Sequence, residues 1–450
     1  MKRSSPLVIA VQVLMLVCLP LAAWAQDVAR MRDVVGRFVD DKTFMGSVLV
    51  ARDGEVLLSE GFGFANLEWK IPNTPTTKFR LGSITKQFTA AAILLLEERG
   101  KLSLDDPIKK HMPDAPAAWD GVTIYHVLTH TAGIPDFTAT PEFQTQKLAP
   151  STAAKTVALF KDWPLQFAPG SEMRYSNSGY VLLGYLVERI SGQSYAAFVR
   201  DNIFRPLGMN DTAYDVSAEI VERRAAGYRV AVGGFKNAPY VDMTIPHGAG
   251  GLYSTTEDLL RWTRGLFGGK LLTSASLRKM TTPFKSDYAL GVAAIQRDGR
   301  NFMITHSGGI EGFNTSLAFY PAEKITIVVL GNVNGAAPEQ IAVQLGAIMY
   351  GTNPTPGAGR SEVRLPAETL ADYVGAYPLR PDFVLTMRVE NGALIARTSG
   401  GVDVPLYAEA KDKFFARAVD ATVEFVRGAD GKVNGLISKQ GGTELRAARQ

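Results

Sequence analysis

Cysteine is almost absent from this chain of 450 residues, which contains a single one, Cys18. That cysteine lies in a segment typical of an export signal, with basic residues at its start, an apolar stretch from Leu7 to Leu19, and the small-x-small cleavage site Ala23-Trp24-Ala25. We therefore expect residues 1–25 to be removed on export. The mature chain would contain no thiol and no disulfide, so its stability must come from packing in the core that a chain of this length can bury.

The chain also lacks a large excess of either charge and, after the signal, any long apolar run. It contains 48 lysines and arginines against 44 aspartates and glutamates, and removal of Lys2 and Arg3 with the signal lowers the basic excess from four to two. Without a dense basic block, no nucleic-acid partner is expected. No apolar run after the signal is long enough to span a bilayer. These features predict an exported protein, in the periplasm if the cell is Gram-negative, or secreted.

Motifs of several other enzyme classes are missing as well. There is no G-x-S-x-G elbow, and no glycine fingerprint follows a strand and opens a helix, as a nucleotide site would require. His126 and His130 are four residues apart, but Val127 occupies the position of the glutamate in H-E-x-x-H. We interpret both histidines as structural hydrogen-bonding residues, and we expect neither a metal nor a cofactor.

Composition divides the remaining chain into two predicted domains. Residues 26–350 alternate strand-like and helical stretches, residues 351–364 form a Pro/Gly-rich linker, and residues 365–450 consist of short alternating runs separated by turns. The first domain is predicted to contain helices at Val28–Phe38 and Ala337–Met349, a mostly helical middle from about Gln87 to Lys270, and strands at Gly46–Arg52, Val56–Phe62, Phe302–His306, Phe313–Tyr320 and Ile325–Leu330. Consecutive hairpins predict an antiparallel sheet flanked by helices with a mostly helical subdomain, the α+β class. The second domain is predicted to be a small antiparallel β-barrel or sandwich.

A serine and a lysine stand three residues apart at the predicted start of a buried helix. Ser83-Ile84-Thr85-Lys86 follows Gly82 and precedes an Ala/Leu-rich run that stops at Gly100. Residues at i and i+3 share one face of a helix, so the hydroxyl and the amine would project into the same space. Burial favours the neutral amine, which can take a proton from the hydroxyl and make it a nucleophile. Alone the spacing is weak evidence, because S-x-x-K also occurs at ordinary helix N-caps.

Two further polar segments have side chains suited to a catalytic cleft around Ser83 and Lys86. Tyr175 and Asn177 alternate in a turn-like segment before an apolar helix, so on an extended backbone their side chains point the same way. Farther along, Thr305-His306-Ser307-Gly308-Gly309 ends a predicted strand with two glycines. Glycines there would let a substrate backbone lie close and leave N–H groups free.

With these three motifs in this order, the chain resembles the serine β-lactamase and penicillin-binding-protein superfamily. Within it, the chain is similar to the branch of class C β-lactamases, D-aminopeptidases and carboxylesterases, which carries S-x-x-K, then Y-x-N, then K-T-G or H-x-G. Here the motifs are Ser83/Lys86, Tyr175/Asn177 and His306/Gly308. The resemblance extends over nearly all of residues 45–350.

The resemblance implies catalysis through an acyl-enzyme. Ser83 would attack a carbonyl, and Lys86 and Tyr175 would share the work of the base, the lysine ammonium lowering the pKa of the phenol. Asn177 would accept a hydrogen bond from Lys86 and donate one to the substrate. The backbone N–H groups of Ser83 and Gly309 would form the oxyanion hole.

One position departs from the β-lactamase pattern, because His306 stands where those enzymes have the lysine of K-T-G. An unperturbed histidine is mostly neutral at pH 7, so a clamp for the carboxylate of penicillins or D-Ala-D-Ala peptides should be weak. We therefore expect an exported serine hydrolase of small esters, amides or peptides, of the esterase or D-amino-acid peptidase type. A β-lactamase or D-Ala-D-Ala carboxypeptidase is the first alternative, and a non-hydrolysing sensor or scaffold of the same fold is the second. For the C-terminal domain we expect a role in limiting access to the cleft or in self-association.

Overall fold

The computed structural model describes residues 26–231, 234–352, 362–380, 383–390, 392–399, 403–416, 421–440 and 443–450. The predicted signal (residues 1–25) and most of the predicted linker (353–361) lie outside these ranges, so the boundaries proposed for signal and linker stay predictions. Within the described ranges, no helix combines the length and the apolarity needed to cross a membrane.

The described strands, in chain order, are β1 (Gly46–Arg52), β2 (Glu55–Phe62), β3 (Phe64–Asn66), β4 (Ile71–Pro72), β5 (Phe79–Arg80), β6 (Ala213–Tyr214), β7 (Tyr228–Ala231), β8 (Gly234–Asn237), β9 (Leu252–Ser254), β10 (Ala293–Arg297), β11 (Arg300–Ile310), β12 (Phe313–Tyr320), β13 (Ile325–Gly331), β14 (Val333–Asn334), β15 (Gly375–Arg380), β16 (Phe383–Glu390), β17 (Ala393–Thr398), β18 (Asp403–Ala410), β19 (Lys413–Ala416), β20 (Ala421–Arg427), β21 (Val433–Gln440) and β22 (Thr443–Ala448).

The described helices are α1 (residues 26–40), α2 (Thr85–Glu98), α3 (Ile108–His111), α4 (Ile124–Leu128), α5 (Phe143–Gln146), α6 (Ala153–Ala158), α7 (Asn177–Ser191), α8 (Tyr195–Val199), α9 (Arg205–Leu207), α10 (His247–Gly250), α11 (Thr256–Phe267), α12 (Ser274–Thr281), α13 (Ala337–Met349) and α14 (Ala367–Ala371). Short 3₁₀ turns occupy Gly82–Ile84, Ala117–Trp119 and Phe137–Ala139, and a π-helical turn occupies Arg200–Phe204.

A six-stranded antiparallel sheet in the order β10-β11-β12-β13-β1-β2 forms the centre of the first domain. Side chains along a strand alternate between its two faces. In β13, Ile327 and Val329 join the core made with α1 and α13, whereas Val328 and Leu330 join the core on the other face. Both faces are thus covered by helices, which explains why this strand is continuously apolar from Ile327 to Leu330.

The second face of the sheet carries the helical subdomain, in which α2 is the central element. Every residue of α2 from Thr85 to Leu96 is buried, and the helix packs against α7 and α10. A helix that is apolar all round belongs inside a core, in agreement with its Ala/Leu-rich sequence. The antiparallel sheet with flanking helices confirms the predicted α+β class.

The subdomain also contains small sheets that the sequence did not predict. Strands β5, β9 and β6 form one of them, and β14, β7 and β8 form another. Each of these strands has two to four residues, too few for an alternating pattern to stand out.

The C-terminal domain is a nearly closed barrel, which decides between the two predicted architectures. Strands β15 to β22 lie side by side in chain order, and each pair is antiparallel. The N–H of Gln450 donates to the carbonyl of Ala376 at 2.9 Å, which links the end of the last strand to the first. Its core is separate and includes Tyr373, Phe414 and Phe425.

Strand β11 continues past the point where we expected it to end. Gly308 and Gly309 lie inside the strand. The chain just before Ser83 crosses directly over this part of β11, which leaves no room for a side chain at Gly308. A Cβ atom on Gly308 would lie 1.9 Å from the carbonyl oxygen of Leu81 and 2.5 Å from Oγ1 of Thr315. Strand β10 pairs with β11 only as far as Thr305, so among the described strands none covers that edge of β11 from His306 onward.

Gly308→Ala should lower the free energy of unfolding by about 2 kcal/mol, because the added methyl group meets backbone that cannot retreat easily. Gly36→Ala is the matched control, since a Cβ at that position in α1 meets nothing within 4 Å and should add about 0.5–1 kcal/mol through helix propensity. Urea unfolding measures both variants. An unchanged unfolding midpoint for Gly308→Ala would contradict the close approach.

Candidate active site

Ser83 and Lys86 meet where a tight turn enters helix α2. Gly82, the first residue of the 3₁₀ turn, has a φ of +53°, and a Cβ on it would lie 2.8 Å from the nitrogen of Gly309. Lys86 lies in the first turn of α2, with its Nζ 3.0 Å from Ser83 Oγ. The i, i+3 spacing therefore brings the hydroxyl and the amine together as predicted.

The Lys86 amine is fully buried and has three oxygen neighbours. Besides Ser83 Oγ, its Nζ donates to Asn177 Oδ1 and to the carbonyl of Ala249, each at 2.9 Å. Burial lowers the pKa of Lys86 to about 7, against the opposing influence of the Asp136 carboxylate. A neutral amine has two N–H groups and one lone pair. The amide and carbonyl oxygens can only accept, so the lone pair is left facing the Ser83 hydroxyl.

Asn177 connects Lys86 to Asp136, a carboxylate that belongs to none of the three motifs. While its Oδ1 accepts from Lys86, its Nδ2 donates to Asp136 Oδ2 at 3.0 Å and to Thr138 Oγ1 at 3.1 Å. Both N–H groups of the amide are therefore already bonded, so the predicted donation to substrate would require one of these bonds to break. Asp136 precedes a short 3₁₀ turn and accepts from the N–H of Thr138. Its sequence context indicates an N-cap, but not its contact with Asn177.

Tyr175 lies beside the serine and the lysine, but its ionisation differs from the expectation. Ser176 is extended, so Tyr175 and Asn177 face the same side, and the Tyr175 ring centroid lies 4.7 Å from Lys86 Nζ. Tyr175 is 37% exposed, yet burial of its phenol raises the pKa well above 10, and the neighbouring Ser83 hydroxyl offsets only part of this effect. The predicted lowering of the phenol pKa by the lysine is therefore wrong. Loss of solvation of the phenolate is the largest influence on this pKa.

His306 is held as a neutral imidazole on β11. Its Nδ1 lies 2.5 Å from the carbonyl oxygen of Ser307, and because a carbonyl only accepts, Nδ1 carries the hydrogen. Its Nε2 then accepts from the hydroxyl of Tyr288 at 3.1 Å. Burial, together with the charge on Lys86, lowers the pKa of His306 to about 4. Tyr288 belongs to none of the motifs and was not predicted.

A cavity of about 360 Å³ opens beside His306, between helix α13 and the sheet at β10, β11 and β12, and its lining residues include neither Ser83 nor Lys86. Its lining includes Tyr175 and Tyr288 from loops, Ser307 from β11, and Glu339 and Val343 from α13. Glu339 is the only acidic residue among the lining residues, which include no lysine or arginine. The cavity therefore offers no cationic partner to a carboxylate.

The other two histidines of the sequence analysis make the predicted structural hydrogen bonds. His126 Nδ1 accepts from the N–H of Thr123 at 3.3 Å, and His130 Nδ1 accepts from the N–H of Ser176 at 3.1 Å. In the described ranges, no group of three or more His, Cys, Asp or Glu side chains is arranged to hold a metal ion.

The antiparallel sheet lies between helical layers, and the turn that carries Ser83 and Lys86 faces Tyr175 and the strand of His306. These features define the fold class of serine β-lactamases. Comparison with known families agrees. The family model described as Beta-lactamase matches residues 31–346, and a second one, described as Domain of unknown function (DUF3471), matches residues 359–449. The chain belongs to the Beta-lactamase family.

Its relatives include penicillin-binding proteins and an amidohydrolase. Penicillin-binding protein 4* of Bacillus subtilis (strain 168) is 30% identical over 426 residues, which cover 89% of this chain and 94% of that protein. The structure of an octameric penicillin-binding protein homologue from Pyrococcus abyssi is 27% identical with a TM-score of 0.65, covering 93% of this chain and 100% of that one. A D-stereospecific amidohydrolase from Streptomyces sp. is 25% identical with a TM-score of 0.61, covering 72% and 99%.

Covalent labelling of Ser83 should follow the ionisation of Lys86. Only the neutral amine can accept the serine proton, so the rate of labelling by a fluorophosphonate probe should rise with pH and level off above about 7. Below that pH the rate should fall about tenfold per pH unit. Mass spectrometry of the labelled peptide gives the rate, and a pH-independent rate from pH 5 to 9 would contradict the assignment.

Asp136→Asn serves as the paired variant for this pH profile. The Asp136 carboxylate favours the charged form of Lys86, so its removal should move the midpoint to lower pH. The hydrogen bond from Asn177 would be kept by the new amide oxygen. A midpoint that stays in place or moves upward would show that Asp136 does not act on the lysine.

Proposed function

We propose that this protein is an exported serine hydrolase that cleaves a small ester, amide or peptide bond through an acyl-enzyme on Ser83. The observation that carries the proposal is the environment of Lys86. Its lowered pKa makes the neutral amine available near pH 7. Its two oxygen acceptors take the N–H groups, so the lone pair faces the serine hydroxyl. A buried lysine arranged in this way is suited to act as a general base near pH 7.

In the proposed mechanism, Ser83 Oγ forms a bond to the substrate carbonyl carbon while its proton passes to Lys86. The phenol of Tyr175 keeps its own proton at neutral pH, so it is suited to donate this proton to the leaving group as the scissile bond breaks. The ammonium of Lys86 then returns a proton to the phenolate. In the second half, water attacks the acyl carbon and gives a proton to Lys86. The bond between the acyl carbon and Ser83 Oγ then breaks, Lys86 returns the proton to Ser83 Oγ, and the acid product leaves.

The developing oxyanion would be bound by the backbone N–H groups of Ser83 and Gly309. Ser83 lies in the turn that opens α2, and the nitrogen of Gly309 lies against Gly82, the residue before the nucleophile. The two N–H groups thus belong to segments in direct contact. A donor of this kind typically stabilises the transition state by about 3 kcal/mol.

The proposed substrates lack a carboxylate at the position of the K-T-G lysine. His306 is neutral, and both of its ring nitrogens are bonded within the protein. The adjoining cavity is lined largely by apolar and uncharged residues, with Glu339 as its one acidic residue. Both features favour a neutral or amine-bearing group over a carboxylate, as in esters, amides and peptides with a free amine. Similarity to a D-stereospecific amidohydrolase supports the inclusion of amides.

A penicillin-recognising activity, as β-lactamase or D-Ala-D-Ala carboxypeptidase, is the second candidate. It is favoured by the similarity to Penicillin-binding protein 4*, which extends over 94% of that relative. Under this candidate, binding of the β-lactam carboxylate would depend on groups other than the lysine of K-T-G.

The barrel is proposed to limit access to the cleft or to mediate self-association. It has its own hydrophobic core, separate from the two cores that flank the first domain's central sheet. A chain that ends after Thr352 should therefore fold and change either its substrate profile or its oligomeric state. If light scattering and the substrate profile matched the full chain, the proposal for the barrel would fail.

Ser83→Ala should abolish turnover, with a loss on the order of 10³-fold or more and little change in thermal stability. The assay is a panel of p-nitrophenyl esters, D- and L-aminoacyl anilides and a chromogenic cephalosporin. If Ser83→Ala still hydrolysed the esters or anilides, the acyl-enzyme mechanism would be refuted. A stable Ser83 adduct without turnover would instead support the sensor alternative.

Glu339→Gln should weaken the preference for amine-bearing substrates. Glu339 is exposed, and exposed ion pairs contribute little, so the ratio of kcat/KM values for an amine-bearing ester and its neutral analogue should fall on the order of 2–5-fold. Glu339→Lys should move the ratio further and favour a carboxylate-bearing ester. An unchanged ratio in both variants would remove Glu339 from substrate selection.

A further inference from the structure

His130 holds the backbone on both sides of Tyr175. Its carbonyl oxygen accepts from the N–H of Arg174 at 2.9 Å, and its ring Nδ1 accepts from the N–H of Ser176 at 3.1 Å. The imidazole also packs on the phenol ring of Tyr175, with ring centroids 4.3 Å apart. One residue thus contacts Tyr175 and the residues before and after it.

The ring of His130 is buried in a way that keeps this acceptor available. Because Nδ1 accepts a hydrogen bond, the hydrogen of the neutral ring must be on Nε2. That nitrogen is buried and has no hydrogen-bond partner among the described residues. Burial and the charge on Lys86 hold the pKa of His130 well below its usual value, so the ring stays neutral.

The backbone of His130 is itself unusual. Its φ is +57°, in the left-handed region, where non-glycine residues are uncommon and asparagine, aspartate and histidine are the most frequent of them. This conformation follows the end of α4 and turns the imidazole toward Tyr175, between the rings of Tyr180 and Tyr288. The left-handed backbone and the unpartnered Nε2–H are both unfavourable, and both accompany the contact between the rings of His130 and Tyr175.

We propose that His130 is a positioning residue that fixes the phenol of Tyr175 beside Ser83 and thereby supports proton transfer to the leaving group. This inference rests on the proposed function for its catalytic consequence, but not for its structural one. A misplacement of about 1 Å in a reacting group can slow a reaction on the order of 100-fold, so the clamp has a measurable effect.

Three substitutions separate the components of the clamp. His130→Asn places an amide oxygen near the position of Nδ1 and tolerates a positive φ, whereas His130→Phe keeps an aromatic ring without the acceptor. His130→Ala removes both. Hydrogen exchange of the Ser176 amide, followed by mass spectrometry, reports on the clamp without reference to activity. We expect protection in the wild type and His130→Asn, and faster exchange in the other two variants.

The catalytic consequence is tested by a double-mutant cycle with Tyr175→Phe. His130→Phe should lower kcat for an aminoacyl anilide, whose amine leaving group must be protonated, on the order of 10–100-fold with little change in KM, and His130→Asn should recover most of the loss. In the Tyr175→Phe background, His130→Phe should have no further effect, because its influence passes through the phenol. Equal losses in both backgrounds, or unchanged exchange at Ser176, would overturn the inference. Failure of the proposed function is recognised separately, because the wild type itself would then leave Ser83 unlabelled.

Discussion

The site depends on the burial of one amine. Lys86 belongs to a helix that is buried along most of its length, and burial there would be prohibitive for a permanent charge. Two oxygen acceptors and the nearby Asp136 carboxylate bring the amine to a balance between its charged and neutral forms near pH 7. The same burial raises the pKa of the Tyr175 phenol and lowers that of the His306 imidazole. Burial of the site thus makes Lys86 a base, keeps the proton on Tyr175 and keeps His306 neutral, all close to Ser83.

The partners of this amine come from widely separated parts of the chain. Asn177 begins α7, Asp136 lies in the loop before a 3₁₀ turn, and the Ala249 carbonyl belongs to the short α10. Their convergence requires α2, α7 and α10 to pack together, as they do in the helical subdomain. The chemistry of the site is therefore a property of the core and not of a surface loop. Substitutions that loosen this packing would change the ionisation of Lys86 as well as the stability of the fold.

The features that could be predicted from sequence are those with a strong local pattern. Strands β1 and β12 and helix α13 have the predicted boundaries because continuous or alternating apolar runs end at clear turn residues. The meeting of Ser83 with Lys86 follows from helical spacing alone. The Ala249 carbonyl has no side-chain signal, and Tyr288 belongs to no motif, so neither partner could be found in this way. The ionisation of Tyr175 was mispredicted because a neighbouring charge was considered without the burial of the phenol itself, which raises its pKa.

The order of strands in the two domains sets different demands on folding. In the barrel every strand pairs with its neighbour in the chain, so pairing can proceed as each hairpin forms. In the central sheet of the first domain, residues 46–52 pair with residues 325–331, and the two segments are separated by the whole helical subdomain. Contacts of such high sequence separation form slowly, because a long loop must close first. A chain that emerges from its N-terminus therefore cannot complete the sheet, or enclose Lys86 in its final surroundings, until residue 331 has appeared. During that interval the edge of β1 that pairs with β13 remains unpaired, and an open strand edge promotes aggregation.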